Sequence, residues 1–204
     1  DVAEGQRVRL AYTLDYGKHR QTAEFGYLDA NGNPENVFAG RQGRKVYAAD
    51  GVVLRNRDRY SIAELNQVAA DYRGKFMDDK LTLNVGVRAP FFKRELNQYC
   101  YTQNASTNVL CTTQSPVATR ANGNVVFVNA ATAVEYIAPF AATAKFDEIL
   151  PNVGLTYAID DSNTVYTSYS EGLSAPRTDS LYGLRRLPDN TLARVNPNPE
   201  KTKS

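Results

Sequence analysis

The chain of 204 residues has no tryptophan, a single histidine (His19) and only two cysteines. Such a small number of imidazole and thiol groups is too few for a His- or Cys-based metal cluster. A Gly-x-Ser-x-Gly elbow and a phosphate-binding Gly-rich loop are also missing from the sequence. These absences argue against an enzyme, and we expect no catalytic residue, no metal site and no cofactor.

The chain also lacks a long hydrophobic run and a large net charge. Its formal net charge is +2, which argues against a general nucleic-acid-binding protein. No segment approaches the roughly 18 consecutive apolar residues of a membrane-spanning helix. Because the strands of membrane β-barrels are short and only alternately apolar, this absence excludes spanning helices and not barrels.

Strict alternation of side chains is the strongest pattern in the sequence. Val8, Leu10, Tyr12, Leu14 and Tyr16 fall on one face of a strand, whereas Arg7, Arg9, Ala11, Thr13 and Asp15 fall on the other. A period of two is the period of a β-strand. Similar segments recur, and they predict strands over 6–16, 19–28, 60–77, 81–89, 147–159 and 164–173, with a seventh beginning at Glu200. A helix over 62–71 is the alternative for part of the third strand, but its helical spacing is the weaker pattern.

The predicted connections alternate between short and long. Tight turns are predicted at Gly17-Lys18, at Asp78-Asp79 and at 160–163, and long connections over 29–59, 93–145 and 174–195. The second long connection is expected to contain a hairpin between 124–129 and 133–137. Paired aspartates at tight turns stabilise the turn through their own backbone, so we do not take them for an acid–base pair.

Alternation alone cannot tell whether the apolar face meets lipid or a protein core. Connections that are short at one end and long at the other are typical of a membrane barrel wall. The sequence therefore predicts an all-β, antiparallel, up-and-down transmembrane β-barrel segment of about six strands, which forms an open curved sheet when alone. A compact sandwich that buries Leu83, Val85, Val153 and Leu155 would contradict this prediction.

Positive charge is concentrated in the long connections, which hold 14 Lys or Arg and 8 Asp or Glu residues. One hypothesis is that this charge gathers an anionic ligand, and the alternative is that it is ordinary solvated surface or contacts lipid phosphates. The candidate ligand contacts are Arg41, Arg44, Lys45, Arg55, Arg57, Arg59, Arg177, Arg185, Arg186 and Arg194. Polar strand residues expected to line a barrel lumen are Arg7, Arg9, Asp15, Asn84 and Arg88.

The two cysteines, Cys100 and Cys111, flank a segment rich in Ser, Thr and Asn. A local disulfide in an oxidising compartment accounts for this arrangement, because a metal site would need more ligands than the chain offers. Two free surface thiols are the alternative. His19, directly after a predicted turn, is expected to be an exposed strand residue.

Two segments near the end of the chain resemble TonB-dependent receptors. The segment 165–176 is similar to a barrel strand of that family through Tyr166, Tyr169, Gly172 and Pro176, although Leu173 and Ser174 stand where an aromatic and a basic residue are more usual. The segment 196–202 resembles the motif that opens the next strand, through Asn196, Pro197, Pro199 and Glu200. Residues 150–155 are similar to the strand that precedes both.

This resemblance implies a plugged outer-membrane barrel of about 22 strands that takes up scarce nutrients actively. The chain, 1–204, would then be a partial barrel from the C-terminal part of the receptor. The plug domain and both ends of the whole protein would be missing from it. Outer-membrane lipid and lipopolysaccharide, the TonB complex acting through the missing plug, and a small-molecule nutrient are the implied partners. The nutrient itself, from siderophore to cobalamin or saccharide, is not resolved.

Two other classes of function agree with the same pattern. An outer-membrane porin or adhesin without TonB coupling has a similar wall, and a soluble all-β carbohydrate-binding module has similar alternation. The presence of a plug domain in the whole protein would distinguish a receptor from a porin or adhesin. Partition of the expressed chain into detergent would distinguish both kinds of membrane protein from the soluble module.

Overall fold

The computed structural model describes residues 4–37, 43–103, 109–188 and 192–204. Its elements, in chain order, are β1 (Gln6–Glu24), β2 (Arg55–Phe76), β3 (Leu81–Gln98), β4 (Tyr101–Thr102), β5 (Val109–Leu110), β6 (Ala118–Thr119), β7 (Val125–Val126), β8 (Phe140–Asp147), β9 (Leu150–Ala158), β10 (Thr164–Ser174), α1 (Thr178–Leu181), β11 (Leu184–Arg186), β12 (Leu192–Arg194) and β13 (Glu200–Lys203). Apart from the four-residue α1, every helix or strand of the described part is thus a β-strand, as predicted.

One antiparallel sheet forms the body of the molecule. Its strand order is β1-β2-β3-β9-β10-β13, and β8 also pairs with β3. Within this sheet, each strand lies beside the sheet strand that follows it along the chain, so the topology is up-and-down. The sheet is open: in the described part, β1 pairs only with β2 and β13 only with β10. The predicted fold class is therefore confirmed.

Both tight turns of the wall lie at one end of the sheet. Met77, Asp78 and Asp79 join β2 to β3 with positive φ angles of 55°, 54° and 67°, a region that aspartate tolerates better than most residues. Between β9 and β10, the Asp160 carboxylate accepts hydrogen bonds from Asn163 and from the backbone amide of Ser162. These two predicted turns are confirmed.

The third predicted turn, at Gly17-Lys18, is wrong. β1 runs without interruption through this point, and Gly17 lies opposite Ala63 of β2. Every residue from Gln6 to Ala23 has a partner on β2 in one unbroken register. A hairpin at Gly17 would break this ladder, and one glycine in an extended segment does not force a turn. The predicted strands 6–16 and 19–28 are therefore mainly one strand, and Phe25 and Tyr27 lie beyond it.

The strands also extend further than predicted toward the long connections, which run over 25–54, 99–139 and 175–199. β3 continues through Pro90 to Gln98, where the sequence suggested an end. Pro90 has no N–H to donate, and it lies opposite the interruption between β8 and β9, at Glu148 and Ile149. The register of β3 is the same on both sides of that interruption. β8 and β9 therefore act as one wall strand that begins at Phe140 rather than at 147.

The apolar residues share one face, as their phase predicted. Tyr12 lies opposite Val68, and Val85 lies opposite Val153. Leu10, Tyr12, Leu14, Val68, Val85, Val87, Val153 and Leu155 are all exposed on this face. No second sheet covers it in the described part, so the sandwich alternative is wrong. The helix over 62–71 is also wrong, because these residues belong to β2 with one register on each side.

The buried core lies on the opposite face, near the long connections. Leu96 of β3 with Ala144 and Phe146 of β8 packs against Leu181 and Tyr182, which belong to the third long connection. Within the second long connection, the predicted hairpin is present as an antiparallel bridge between Val125 and Tyr136. The short pairs β4-β5, β6-β7 and β11-β12 also lie within the connections.

Candidate ligand-binding surface at the rim

The sheet has a rim that extends beyond its apolar band. β1, β2 and β3 contain 19, 22 and 18 residues, whereas about 9–11 residues suffice for a strand to cross a bilayer. On the exposed apolar face, the band ends where Glu64 lies opposite Tyr16 and Lys93. We call the strand residues beyond this row, 17–24, 55–63, 94–98 and 140–144, the rim.

The third long connection folds down onto the polar face of the rim. Leu181 and Tyr182 anchor it, each only 2% exposed. The Tyr182 hydroxyl donates to the carbonyl oxygen of Tyr60 at 2.9 Å and accepts from the backbone amide of Asn97 at 3.2 Å. We call residues 177–183, which include α1, the strap. Its attachment is both apolar and hydrogen-bonded.

Arg59 is the most enclosed basic residue of this surface. Its guanidinium lies 4.5 Å from the ring centre of Tyr182 and donates to the side-chain oxygen of Gln21. It also donates to the carboxylate of Asp179 on the strap. The Arg59 side chain is only 4% exposed, whereas that of Asp179 is 65% exposed. A ring face and a side-chain amide therefore hold the arginine in place.

Three further arginines lie on the same face as Arg59 or beside the strap. Arg57 lies two residues before Arg59 on the same face of β2, Arg94 donates to the Thr178 hydroxyl, and the Arg194 guanidinium lies 4.3 Å from the ring centre of Phe140. In the part of the chain that the structure describes, none of the three forms an ion pair. Partial burial beside Phe140 lowers the pKa of Arg194 from its ordinary value, although the side chain stays charged. We call Arg57, Arg59, Arg94 and Arg194 the rim arginines.

The other predicted ligand contacts do not belong to this group of arginines. Arg44 pairs with Glu35, Lys45 with Glu24, and Arg55 with both Glu24 and Asp58, so these charges are largely neutralised. Arg177 and Arg185 are exposed, the first of them on the strap. Arg41 and the side chain of Arg186 lie outside the described residues. Arg55, Arg57 and Arg59 are on β2 and not in a loop, because the strand begins earlier than predicted.

Arg94 is the rim arginine that was missing from the predicted ligand contacts. It lies within the segment 93–145, which the sequence analysis treated as a long connection. The two-residue period of β3 continues past Pro90, so that the side chains of Arg94, Leu96 and Gln98 lie on one face. Continuing the period of two past the proline would have placed Arg94 on the same face as Arg88.

The first and second long connections are joined through Asp50. Its carboxylate accepts from the hydroxyl of Thr113 at 2.7 Å and from the amide of Thr113 at 3.2 Å. The Thr113 hydroxyl, the Val52 amide and the Thr113 amide hold the pKa of Asp50 at about 2, below its ordinary value of 3.8. This contact fixes one connection against the other.

Because the folded-state pKa of Asp50 is lowered, the stability from this contact should be complete above about pH 4 and should be lost as the pH falls through about 2. We expect the amide proton shift of Thr113, followed by NMR down to about pH 1, to have a midpoint near 2. In Asp50→Asn this titration should disappear while other residues titrate as before. A midpoint near the ordinary value of 3.8 would show that the contact does not form in solution.

The predicted disulfide is present. Cys100 and Cys111 are bonded, with their Cα atoms 4.4 Å apart, and Cys100 is buried. The bond closes the short β4-β5 pair, in which Tyr101 lies opposite Leu110.

Replacing both cysteines with serine should destabilise this part of the second connection by about 3 kcal/mol. A disulfide that closes a loop of this length stabilises the folded state by about that much, because it lowers the conformational entropy of the unfolded chain. Hydrogen exchange at Tyr101 and Leu110 measures the loss. The amides of β9 should exchange unchanged and serve as the internal control. Equal protection with and without the bond would contradict a stabilising role.

The polar face of the wall below the rim carries the residues predicted to line a lumen. Arg9 pairs with Asp71 at 2.9 Å, and Arg7 lies opposite Arg73. Asn84 and Arg88 of β3 lie on the same face, together with Asn152 of β9. Around these residues the surface forms a groove of about 490 Å³. Asp15 and His19 also lie on this face, and both are exposed.

The residues of the sequence motif lie at the β10-β13 pairing. Gly172 lies opposite Thr202, and a Cβ atom on Gly172 would come within 2.7 Å of the Thr202 hydroxyl oxygen. Tyr169, on the apolar face, donates to Glu171, and Tyr166 is exposed on the polar face. Pro176 follows β10, whereas Asn196, Pro197 and Pro199 lead into β13 at Glu200. The motif therefore belongs to strand pairing and not to the rim.

In the described ranges, no group of three or more His, Cys, Asp or Glu side chains is arranged to hold a metal ion. No helix in these ranges is long and apolar enough to cross a membrane.

A family model described as TonB dependent receptor-like, beta-barrel, matches residues 3–204. Neither the curated proteins nor the solved structures contain a significant match.

Proposed function

Because the chain belongs to the β-barrel family of TonB-dependent receptors, we propose that it forms part of the wall and the extracellular loops of a receptor for active nutrient uptake. The family is one of bacterial outer-membrane receptors. The observation that carries the proposal is the sheet itself: one face is apolar and exposed, the other is polar, and long connections leave at one end only. This combination suits a wall between lipid and an aqueous lumen.

The orientation follows from the connections. In outer-membrane barrels the short turns face the periplasm and the longer loops face outward. The turns at Met77–Asp79 and Asp160–Asn163 would then be periplasmic, and the rim with its strap would lie at the extracellular side. The exposed apolar residues between them would contact the lipid tails.

Charged residues border the apolar band on its extracellular side. Lys93 of β3 and Lys145 of β8 lie directly opposite each other, next to Glu64 of β2, and Lys93 also pairs with Glu95 at 2.6 Å. This row is at the depth where lipopolysaccharide phosphates would meet the wall, and two lysines on adjacent strands suit such phosphates. Lipopolysaccharide is therefore the outer partner that we propose.

Ligand capture is assigned to the rim. Of the predicted contacts we retain Arg57, Arg59 and Arg194, and we add Arg94. Arg59 and Arg94 bind the strap, Arg194 lies over Phe140 beside Tyr182, and Arg57 is on the same face of β2 as Arg59. In the proposed receptor a plug domain elsewhere in the whole protein closes the lumen and connects it to the TonB complex. The residues described here would contribute no enzymatic step.

Energy dependence tests this function. Cells that express the complete receptor and cells that lack it are grown in a defined nutrient mixture, with and without a proton-motive-force uncoupler, and depletion of each component is measured by mass spectrometry. We expect at least one component to be depleted only in energised cells with the receptor. Depletion that persists with the uncoupler would indicate a passive porin. Surface attachment without any depletion would indicate an adhesin.

A further inference from the structure

The ion pair between Arg59 and Asp179 has one fixed partner and one replaceable partner. Arg59 is held by Gln21 and by the ring of Tyr182, with its side chain 4% exposed. Asp179 lies on a helix of four residues, with its side chain 65% exposed. A solvated carboxylate thus covers an enclosed guanidinium. Another anion can reach Arg59 only by taking the place of Asp179.

Positive charge around this pair exceeds the negative charge that the described residues supply. Arg57, Arg94 and Arg194 form no ion pair with any described carboxylate, and Arg57 and Arg94 are half-buried. The Nε of Arg94 and the hydroxyl of Ser61 are buried without a hydrogen-bond partner. Partly desolvated donors of this kind are costly to leave unpaired. An anionic ligand that replaces Asp179 would offset this excess of positive charge.

We propose that the carboxylate of Asp179 is a placeholder, which occupies the position on Arg59 that a carboxylate of the transported nutrient takes on binding. This inference rests on the proposed uptake function and names the chemical class of the nutrient. The class follows from the group already bound there, since a guanidinium fork pairs with a carboxylate in plane. The aromatic rings of Tyr182 and Phe140, with their centres 6.3 Å apart, lie beside these arginines.

Displacement of Asp179 does not require the strap to leave. Leu181 and Tyr182 keep the strap on the rim through buried contacts, and Tyr182 also retains its hydrogen bonds to β2 and β3. The expected change is therefore local: the Asp179 side chain moves into water and a ligand carboxylate replaces it. Arg57, Arg94 and Arg194 then serve the other negative groups of a polycarboxylate.

Citrate is the probe for the test, with neutral maltotriose as the comparison ligand. Binding to the complete receptor, purified in detergent, is measured by calorimetry for wild type, Asp179→Asn and Arg59→Gln. Asp161→Asn is the matched control, because it removes the same charge at the opposite end of the sheet. Among the described residues, the Asp161 side chain has no hydrogen-bond or ion-pair partner. Heat-dependent migration in gels verifies that each variant is folded.

Asp179→Asn should bind citrate about tenfold more tightly than wild type, because a competing charge-assisted hydrogen bond is removed. Arg59→Gln should weaken binding by at least about tenfold, and Asp161→Asn should match wild type. Equal citrate affinity in Asp179→Asn and Asp161→Asn would overturn the proposal. So would citrate binding no tighter than maltotriose binding.

If Asp179→Asn does not fold, the wild-type receptor still gives a decision. The carboxylate carbon of Asp179, labelled with carbon-13 and assigned by its loss in Asp179→Glu, should shift on citrate saturation. An unchanged resonance at saturation would overturn the proposal. Neither measurement uses TonB or a proton gradient, so a failure here is distinct from a failure of energy-dependent uptake.

Discussion

Replacing Leu10 with arginine should destabilise the receptor in a bilayer by about 2–4 kcal/mol, the cost of a charged side chain on the lipid face near the membrane centre. Leu10 is 77% exposed and lies opposite Ala70, about midway along β2 between the row at Glu64 and the turn at Met77. If the apolar face contacts lipid tails, the guanidinium must leave water or distort the bilayer. Urea unfolding of the complete receptor in lipid vesicles measures the difference.

Thr13→Arg on the same strand is the matched control for Leu10→Arg. Thr13 lies opposite Gln67 on the polar face, where an arginine would remain hydrated. We expect its unfolding free energy to stay within about 0.5 kcal/mol of wild type, as for most surface substitutions. Equal losses in both variants would mean that the two faces meet the same surroundings, which contradicts a barrel wall.

Replacing Tyr182 with alanine should release the strap from the rim. The side chain is buried against Leu96, Ala144 and Phe146, and truncation of a buried aromatic residue costs about 3–5 kcal/mol. The loss should appear as local opening, because the strap is a connection between wall strands. Trypsin cleavage after Arg177 and Arg185, both exposed and on either side of Tyr182, reports that opening.

Two further variants test the role of the Tyr182 hydroxyl and provide a control. Tyr182→Phe keeps the ring and loses the hydroxyl that donates to the carbonyl of Tyr60, so cleavage should accelerate less, in line with about 1–3 kcal/mol. Tyr47→Ala, at an exposed site in the first connection, should leave cleavage at Arg177 and Arg185 unchanged. Cleavage at the wild-type rate in Tyr182→Ala would show that other contacts hold the strap.

The wall could be predicted from sequence because its signals are local. The alternation from Val8 to Tyr16 and the aspartates at Asp78-Asp79 each act within one strand or turn. Local signals also explain the error at Gly17: a glycine looks the same in a hairpin and in a continuous strand. The difference lies in the ladder with β2, whose residue Ala63 is 46 positions away.

The rim site could be predicted only in part, because it is assembled from distant segments. Arg59 and Asp179 are 120 positions apart, and Tyr182 reaches Tyr60 over 122 positions. Charge counts indicated basic connections but not which arginines converge. Arg94 was missed because the strand was expected to end at Pro90, although the alternation continues beyond it.

One face of this sheet should meet lipid and the other should meet water. Spin labels on the complete receptor in vesicles test this through collisions with oxygen and with a water-soluble nickel complex; the apolar-face positions are Leu10, Val85 and Val153, and the polar-face positions are Thr13, Asn84 and Asn152. Labels on the apolar face should collide with oxygen, and labels on the polar face with the nickel complex. If the labels on the apolar face collide with neither reagent, they lie in a dry protein core and the sheet is not a membrane wall.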